Sequence, residues 1–356
     1  MTQYRDILDR LARGREVSQE ELAELVTLSG EPRVLDYARG LAREVRQEWY
    51  GHKVYLRGLV EISSHCSGGC YYCGLRAENR SLERYSLSEE QIMEACREGY
   101  TLGLRSFVLQ GGQMMDLEER IANLVVALKS AMPDAAVTLS LGEQRSSTYE
   151  AWRKAGADRY LLRHETASAE HYAQLHPARM SFAERLACLE ELHRLGYQRG
   201  AGFMVGTPGQ TNEMLAHEVE FLKDLSPEMV GIGPFIPQKD TPFGGMPRGD
   251  VATTLMMLSL VRVALPKALM PATTALATTA GNGTLLGVLS GANVVMPNIT
   301  PRQYRGSYAI YDGKKSSGTE SAEGIERLAE ELHSIGYEAT MTRGDHPDFP
   351  DSEAKP

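Results

Sequence analysis

Residues 54–74 read VYLRGLVEISSHCSGGCYYCG, an apolar run that leads directly into three cysteines at positions 66, 70 and 73. The first part of this stretch, 54–63, is rich in β-branched and apolar side chains, which predicts a buried strand. The cysteines therefore fall in the loop that leaves the carboxyl end of that strand. In a barrel of parallel strands, this is the face on which active sites are built.

Further segments of the same kind follow, each separated from the next by an amphipathic helical pattern. This alternation is typical of βα units, and eight such units are what a complete (β/α)8 TIM barrel needs. An open, doubly wound sheet is the alternative that the same pattern allows. We expect the barrel, with strands at 54–63, 106–112, 136–142, 159–165, 199–206, 229–236, 269–275 and 293–299.

The segments outside the repeated units divide the chain into three parts. Residues 1–50 are predicted to form a helical lead-in, residues 51–311 the barrel, and residues 312–356 a C-terminal helix and tail. The final stretch, RGDHPDFPDSEAKP (343–356), has the polar, proline-containing composition of a frayed end.

The 356-residue chain has 42% hydrophobic residues, and 38 Lys plus Arg stand against 47 Asp plus Glu. A net charge of −9 without any basic cluster argues against a nucleic-acid partner. There is no signal-peptide pattern and no apolar run of the roughly 18 residues that a membrane span needs. Cys96 and Cys188 lie in helical patterns among apolar neighbours, as buried structural thiols do. We therefore expect a reducing, cytoplasmic location without membrane contact.

The spacing Cys66-x3-Cys70-x2-Cys73 narrows the chemistry to zinc or an iron–sulfur cluster, because soft thiolates favour both. A structural zinc site normally takes four protein ligands, and His65, adjacent to Cys66, is poorly placed to be the fourth. Three cysteines on a four-iron cluster leave one iron open to a small molecule. This spacing, with the aromatic Tyr72 before the last cysteine, is the motif of the radical S-adenosylmethionine (SAM) enzymes. It predicts a [4Fe-4S] cluster and SAM.

Polar residues at the carboxyl ends of later strands should converge on this loop. Strand two ends in Gln110, Gly111 and Gly112. The next residue, Gln113, stands where radical SAM proteins often carry a glutamate that holds the methionine amino group. Backbone contacts to SAM are therefore expected at this strand end.

Strand four ends in Arg163, His164 and Glu165, three ionisable groups that are costly to bury unless they are paired. Because side chains alternate along a strand, Arg163 and Glu165 share one face, which we assign to the interior. His164 faces the other way and is expected to be structural. Arg185 lies near the start of a predicted helix, where it is either a bidentate carboxylate ligand or a solvated side chain. Further candidates at strand ends are Thr138, Ser140, Thr273, Thr274 and Met296.

Most of residues 50–311 resembles the HydE family, the radical SAM maturases of [FeFe]-hydrogenase, in the segments VLQGG, VTLSLGE, AGADRYLLRHETAS, GAGFMVGTPGQT, MVGIGPFIPQKDTP, MPATTALAT and GANVVMPNITPRQYR. The resemblance implies a complete barrel with an internal cavity, one [4Fe-4S] cluster and SAM on its open iron. It implies that Glu165 and Arg185 contact SAM, with Gln110, Ser140 and Met204 nearby. The cysteine motif adds Tyr72, which would shield the cluster or contact adenine, and the end of strand two adds backbone contacts at Gly111 and Gly112. The resemblance implies that the substrate cavity is lined by Thr138, Arg163, Thr273, Thr274, Met296, Tyr308 and Tyr311.

By the same resemblance, the substrate would be an iron–carbonyl–cyanide–cysteine complex on the way to the diiron subcluster of the hydrogenase H-cluster. A one-electron donor such as ferredoxin or flavodoxin and transient contacts with other maturases would be needed. Methylornithine synthase and biotin synthase share this architecture. A methylornithine synthase-like mutase acting on an amino acid is the alternative enzyme.

Two non-enzymatic hypotheses remain open from the sequence. An iron–sulfur carrier would need the cluster but no polar cavity, and a zinc-binding module would be colourless. The chain also departs from many relatives, because residues 312–328, DGKKSSGTESAEGIERL, contain no second set of cysteines. A single cluster is therefore expected.

Overall fold

The computed structural model describes residues 3–315 and 321–349. The strands in this part of the chain are β1 (Lys53–Leu56), β2 (Gly58–Ser63), β3 (Ser106–Gly111), β4 (Ala136–Ser140), β5 (Arg159–Leu161), β6 (Gln198–Val205), β7 (Met229–Pro234), β8 (Val294–Val295) and β9 (Glu338–Thr340). Strands β2 to β7 form a parallel sheet in which each strand pairs with the next along the chain. Strands β8, β1 and β9 form a second sheet. The α/β class predicted from the sequence is confirmed.

The described helices are α1 (Gln3–Ala12), α2 (Gln19–Thr27), α3 (Pro32–Tyr50), α4 (Glu89–Thr101), α5 (Glu118–Ala131), α6 (Ser146–Ala155), α7 (Ala169–Leu175), α8 (Phe182–Arg194), α9 (Asn212–Leu225), α10 (Val251–Ala264), α11 (Thr274–Thr279), α12 (Gly283–Val288), α13 (Arg302–Arg305) and α14 (Ile325–Ser334). Helices α1 to α3 precede β1, and α4 to α10 alternate with the strands of the larger sheet. Ser88 starts α4 with a capping box, in which its side chain and that of Gln91 satisfy each other's backbone N–H groups. Within the described residues, no helix combines the length and apolar character that crossing a membrane requires.

The two faces of the larger sheet differ in chemistry. The outward side chains are apolar and pack in one core with the surrounding helices; they include Val60, Ile62, Phe107, Leu109, Val137 and Leu139. Between them, Glu61, Gln110 and Ser140 lie in register on three neighbouring strands. Side chains in register on parallel strands point to the same face, so these three polar groups share the interior.

Glycines make room on the inner face of β6 and β7. Their inward positions are Gly200, Gly202, Gly231 and Gly233, which alternate with apolar residues of the outer core. A Cβ on Gly231 would touch Arg163 Cδ at 3.6 Å, and one on Gly233 would come 2.7 Å from Thr273 Oγ1. The missing side chains therefore leave the interior to residues from other segments.

The strand predicted at 54–63 is interrupted at Arg57, and its two halves belong to different sheets. β1 pairs with β8 and β9, whereas β2 pairs with β3. Gly58 lies at this change of neighbour, and a Cβ there would come 2.8 Å from Ile299 Cδ1. The close approach of the two chain segments explains why glycine follows the interruption.

The segments predicted as strands seven and eight pair less than expected. Residues 269–275 contribute two single bridges, from Leu269 to β7 and from Pro271 to β8. The prediction is wrong after Pro271, because proline has no N–H for a ladder and Thr273 caps helix α11. Residues 293–299 pair as the two-residue strand β8 and through two bridges from Asn298, one to Leu59 and one to Ser321.

The C-terminal segment is ordered as far as it is described, so the frayed end predicted from residue 343 onward is wrong for residues 343–349. β9 pairs in parallel with β1, and Asp345, with a 1% exposed side chain, lies 2.5 Å from Arg159 Nη2. Arg343 also binds Asp345, at 2.7 Å. The buried Arg159 guanidinium needs a counter-charge, and this segment supplies it. The rest of the predicted tail, residues 350–356, lies outside the described residues.

Asp345→Asn should lower the free energy of unfolding by about 3–5 kcal/mol, because it leaves Arg159 charged and buried without its carboxylate. Denaturant unfolding measures this effect. The control is Asp348→Asn, whose side chain is 57% exposed and pairs with Lys267, and it should cost less than about 1 kcal/mol. Equal effects of the two variants would contradict the account.

The Asp345 carboxylate should also make the free energy of unfolding depend on pH. Burial opposes the ionisation of Asp345, but Arg159 and Arg343 outweigh it and lower the pKa of the carboxyl to about 2. The stability that depends on this carboxylate is therefore present above about pH 4 and is lost as the pH falls towards 2. Asp345→Asn should flatten the dependence of unfolding free energy on pH in that window.

Candidate active site

The cysteine loop follows β2, and a glycine lies between its thiols. The Gly68 N–H donates to Cys66 Sγ at 3.3 Å. A Cβ on Gly68 would lie 3.3 Å from Cys66 Sγ and 3.9 Å from Cys70 Sγ. Any larger residue would place its side chain in the space that a group bound to these sulfurs needs.

Burial keeps two of the three thiols protonated in the absence of a bound metal. It raises the pKa of Cys70 to about 12, with Arg185 acting in the opposite direction, and it also raises the pKa of Cys73. In the described residues, no group of three or more His, Cys, Asp or Glu side chains is gathered tightly enough to hold one metal ion. An iron–sulfur cluster makes a different demand, since each cysteine binds a different iron. The loop therefore fits such a cluster: soft donors surround a space kept open by Gly68.

Backbone contacts tie the cysteine loop to neighbouring loops. The Ser67 N–H donates to the Gln113 carbonyl at 2.8 Å, and the Gly74 N–H donates to the Ile310 carbonyl at 2.9 Å. A side chain on Gly112 would collide with the backbone next to Cys66. The glycines at the end of β3 thus allow that strand to pack directly under the loop.

Gln113 has a structural role. Its carbonyl oxygen holds Ser67, and its side-chain oxygen accepts from the Glu143 N–H at 3.3 Å. The residue that departs from the usual glutamate therefore links the cysteine loop to the loop after β4.

Tyr72, the aromatic residue of the motif, is fixed by a histidine. Its hydroxyl lies 3.2 Å from His176 Nε2, and His176 Nδ1 lies 2.9 Å from the Tyr172 carbonyl oxygen. Burial lowers the pKa of His176 to about 3, so the ring is neutral at physiological pH. A neutral ring that donates from Nδ1 to the carbonyl must accept the Tyr72 proton at Nε2. The sequence analysis missed His176, because its position between α7 and α8 gives no local signal.

Arg163 and Glu165 form a two-bond ion pair on the inner face. Arg163 Nε and Nη2 donate to the two carboxylate oxygens at 3.2 and 2.8 Å. Glu165 has a φ of 70°, a left-handed conformation that is strained for a residue with a side chain. His164 faces outward, where it lies 2.7 Å from Glu218 and is fully buried. The geometry agrees with the alternation read from the sequence.

Arg185 is buried and held by an acidic residue that the sequence analysis did not single out. Its Nε lies 2.5 Å from Glu143 Oε1, and its Nη1 donates to the Arg163 carbonyl at 2.6 Å. Burial opposes the charge on Arg185, but Glu143 outweighs it and raises the pKa of the guanidinium. The interpretation of Arg185 as a solvated side chain is therefore wrong. Glu143 was detectable as the carboxylate immediately after the strand motif VTLSLG.

The other predicted residues lie in different environments. The Thr138 hydroxyl is buried and has no hydrogen-bond partner among the described residues. Thr273 caps α11, and Thr274 is the first residue of that helix. Met296 packs against the apolar cluster of Tyr50, Tyr55, Met229, Leu269 and Val294, away from the cysteine loop. The remaining predicted residues range from buried to half-buried; they are Gln110, Ser140, Met204, Tyr308 and Tyr311.

One further buried charge shares the interior. Glu61 accepts from Asn298 Nδ2 at 3.0 Å and lies 2.5 Å from Lys314 Nζ. Burial raises the pKa of Glu61, although Lys314 acts against this shift. The sequence analysis missed both residues: Glu61 sits inside an apolar strand motif, and Lys314 is distant in the chain.

Comparisons with known proteins agree with this geometry. The model of the radical SAM superfamily matches residues 60–222. The chain is 44% identical over 312 residues to the [FeFe] hydrogenase maturase subunit HydE of Thermotoga maritima, which covers 87% of this chain and 88% of that protein. It is 27% identical over 290 residues to the 3-methylornithine synthase of Methanosarcina acetivorans, covering 81% of each. The crystal structure of methylornithine synthase (PylB) matches with a TM-score of 0.82 and 25% identity, covering 94% of this chain and 97% of that one.

These similarities extend over most of the chain and include the cysteine loop. The protein is a radical SAM enzyme whose cofactors are a [4Fe-4S] cluster and SAM, with Cys66, Cys70 and Cys73 in place as the cluster ligands. The chain belongs to the HydE family of [FeFe]-hydrogenase maturases.

Proposed function

We propose that this protein directs a 5′-deoxyadenosyl radical onto an iron–carbonyl–cyanide–cysteine precursor of the diiron subcluster of [FeFe]-hydrogenase. When bound, the cluster supplies the electron that cleaves SAM and releases this radical. The observation that carries the proposal is the Arg163–Glu165 pair on the inner face of the sheet, at 2.8 Å. A carrier needs the three thiols but has no use for an inward-facing ion pair at the end of a strand, in which Glu165 is nearly buried and Arg163 is half-buried.

The protein's own contribution is to bind and orient SAM and the substrate. We assign SAM contact to Tyr72, Gln110, Gly111, Gly112, Ser140, Glu165, Arg185 and Met204. We propose that the substrate cavity is lined by Thr138, Arg163, Thr273, Thr274, Tyr308 and Tyr311. Met296 would line the same cavity from the amino end of the sheet. The orientation of Tyr72 by His176 and of Arg185 by Glu143 supports these assignments, because a fixed side chain loses less entropy on binding.

We also propose that residues 51–311 form a complete (β/α)8 barrel of the radical SAM type, with residues 312–356 as a separate C-terminal element. Backbone hydrogen bonds on the far side of the sheet support closure. They run from Val230 to Leu269, from Ala272 to Val294 and from Leu59 to Pro297. A closed barrel would exclude water and oxygen from a reactive radical.

The reaction needs an electron and a substrate from outside the protein. We propose a one-electron donor such as ferredoxin or flavodoxin, transient contact with other hydrogenase maturases, and a cytoplasmic location. The 44% identity to the Thermotoga maritima hydrogenase maturase subunit supports the maturation context.

A methylornithine synthase-like reaction on an amino acid is the second candidate. It is favoured by the TM-score of 0.82 to methylornithine synthase over 94% of this chain. The two candidates differ in substrate and share the SAM chemistry.

Reconstituted wild-type protein with SAM and dithionite should form 5′-deoxyadenosine, and Cys70→Ser should abolish it, because the cluster loses one of its three ligands. Product is measured anaerobically by chromatography. Cys188→Ser is the control and should retain product, since this half-buried thiol is not a predicted ligand.

An iron–carbonyl–cyanide–cysteine complex should stimulate formation of 5′-deoxyadenosine by the wild type more than L-lysine does. The reverse order would favour the amino-acid mutase, and product from Cys70→Ser would contradict the cluster assignment.

Glu143→Gln should weaken SAM binding by about tenfold or more, because Arg185 loses the charge that fixes its guanidinium. Equilibrium binding to the cluster-loaded protein measures the effect. Glu150→Gln, which loses an exposed pair with Lys154, is the control and should bind SAM as the wild type does. Unchanged affinity in Glu143→Gln would exclude this positioning role.

A further inference from the structure

The ion pair of Glu61 and Lys314 has features that a purely structural contact does not explain. Glu61 lies in register with Gln110 of β3, which is in register with Ser140 of β4, so its carboxylate belongs to the interior layer assigned to SAM and substrate. The side chains of Glu61 and Lys314 are only 1% and 8% exposed. Both charges are therefore removed from solvent on the inner side of the sheet.

The pair leaves hydrogen-bonding capacity unused. Lys314 Nζ and Glu61 Oε1 are 2.5 Å apart, and neither atom has a hydrogen-bond partner outside the pair within the described residues. An ammonium has three donors, and each carboxylate oxygen accepts more than one bond. The Tyr308 ring, centred 5.3 Å from Lys314 Nζ, packs beside the ammonium without satisfying its donors.

The chain segment that carries Lys314 is held in place by other contacts. Ile310 accepts from the N–H of Gly74 in the cysteine loop, at 2.9 Å. The Asp312 N–H donates to the Pro237 carbonyl at 3.2 Å, and the Lys315 N–H donates to Thr278 Oγ1 at 3.2 Å. The segment therefore does not need Lys314 as its anchor. A buried ion pair often adds little to the stability of the fold. Stability alone therefore does not explain why Glu61 and Lys314 are buried together.

We infer that Glu61 and Lys314 form a subsite for the head group of an α-amino acid, with Lys314 donating to its carboxylate and Glu61 accepting from its ammonium. A fixed buried pair of opposite charges is complementary to a zwitterion. Glu61 and Lys314 would stay in contact with each other while each binds the oppositely charged group of the ligand. The ligand class suits a cysteine moiety held on iron and equally a free amino acid. The inference rests on the proposed function for its substrate, and it adds the residues that select that substrate.

The test compares ligands that lack one charge. Binding to SAM-loaded holoenzyme is measured for the iron–carbonyl–cyanide complex of L-cysteine and for the same complex built with cysteamine, which lacks the carboxylate. The wild type should favour the cysteine complex by about 10- to 100-fold, the range for a charge-assisted bond. Lys314→Met should abolish this preference, and Lys314→Arg should restore most of it. Lys315→Met is the matched control, because this neighbouring lysine bonds Thr278 through its backbone N–H, and it should keep the preference.

A complex built with 3-mercaptopropionate, which lacks the amine, tests the other half of the subsite. Glu61→Gln should reduce the preference for cysteine over this ligand and leave the preference over cysteamine largely intact. If Lys314→Met weakens all three complexes equally, the pair is structural and the inference is overturned.

Failure of the proposed substrate can be told apart from failure of the subsite. If the wild type responds to L-lysine and not to the iron complexes, the comparison is made between L-lysine and cadaverine, its decarboxylated form. Loss of that discrimination in Lys314→Met still supports the subsite. Retention of discrimination in Lys314→Met, with either substrate, overturns it.

Discussion

Buried charges on the inner face of the sheet draw distant segments of the chain into contact with it. Buried ionised groups are tolerated when a partner is supplied, and the inner face offers none from its immediate chain neighbours except at Arg163 and Glu165. Three other buried charges take partners from distant segments: Asp345 for Arg159, Lys314 for Glu61 and Glu143 for Arg185. The course of the C-terminal chain and of the loop after β4 follows from this need.

The ion pairs at the two ends of the interior of the sheet differ in what surrounds them. At the amino end, Arg159 is neutralised by a carboxylate of the protein itself, so that end is filled by the chain. Towards the cysteine loop, glycines on β6 and β7 omit side chains and leave space on the inner face. Among the ion pairs there, Lys314 Nζ and Glu61 Oε1 have hydrogen-bonding capacity to spare, and they lie in the layer where SAM and substrate are proposed to bind.

The sequence predicts those features that are local in the chain. Cysteine spacing identifies the cofactors, and period-two alternation places Arg163 and Glu165 inward and His164 outward, because both signals lie within a few residues. Partners that are distant in sequence, such as His176 for Tyr72 and Lys314 for Glu61, leave no such signal. Two other predictions were wrong for a related reason. Arg159 orders residues 343–349, whose composition alone indicates fraying, and Pro271 with the Thr273 cap shortens the seventh predicted strand.

We propose that the three thiols leave one iron of the cluster for SAM, beside the Arg163–Glu165 pair. Electron paramagnetic resonance of the reduced, reconstituted protein tests it most directly, with SAM carrying ¹⁵N at its amino group. We expect a changed cluster spectrum on addition of SAM and a ¹⁵N hyperfine coupling, because the amino nitrogen would bind the open iron. A spectrum that stays unchanged at saturating SAM would contradict it.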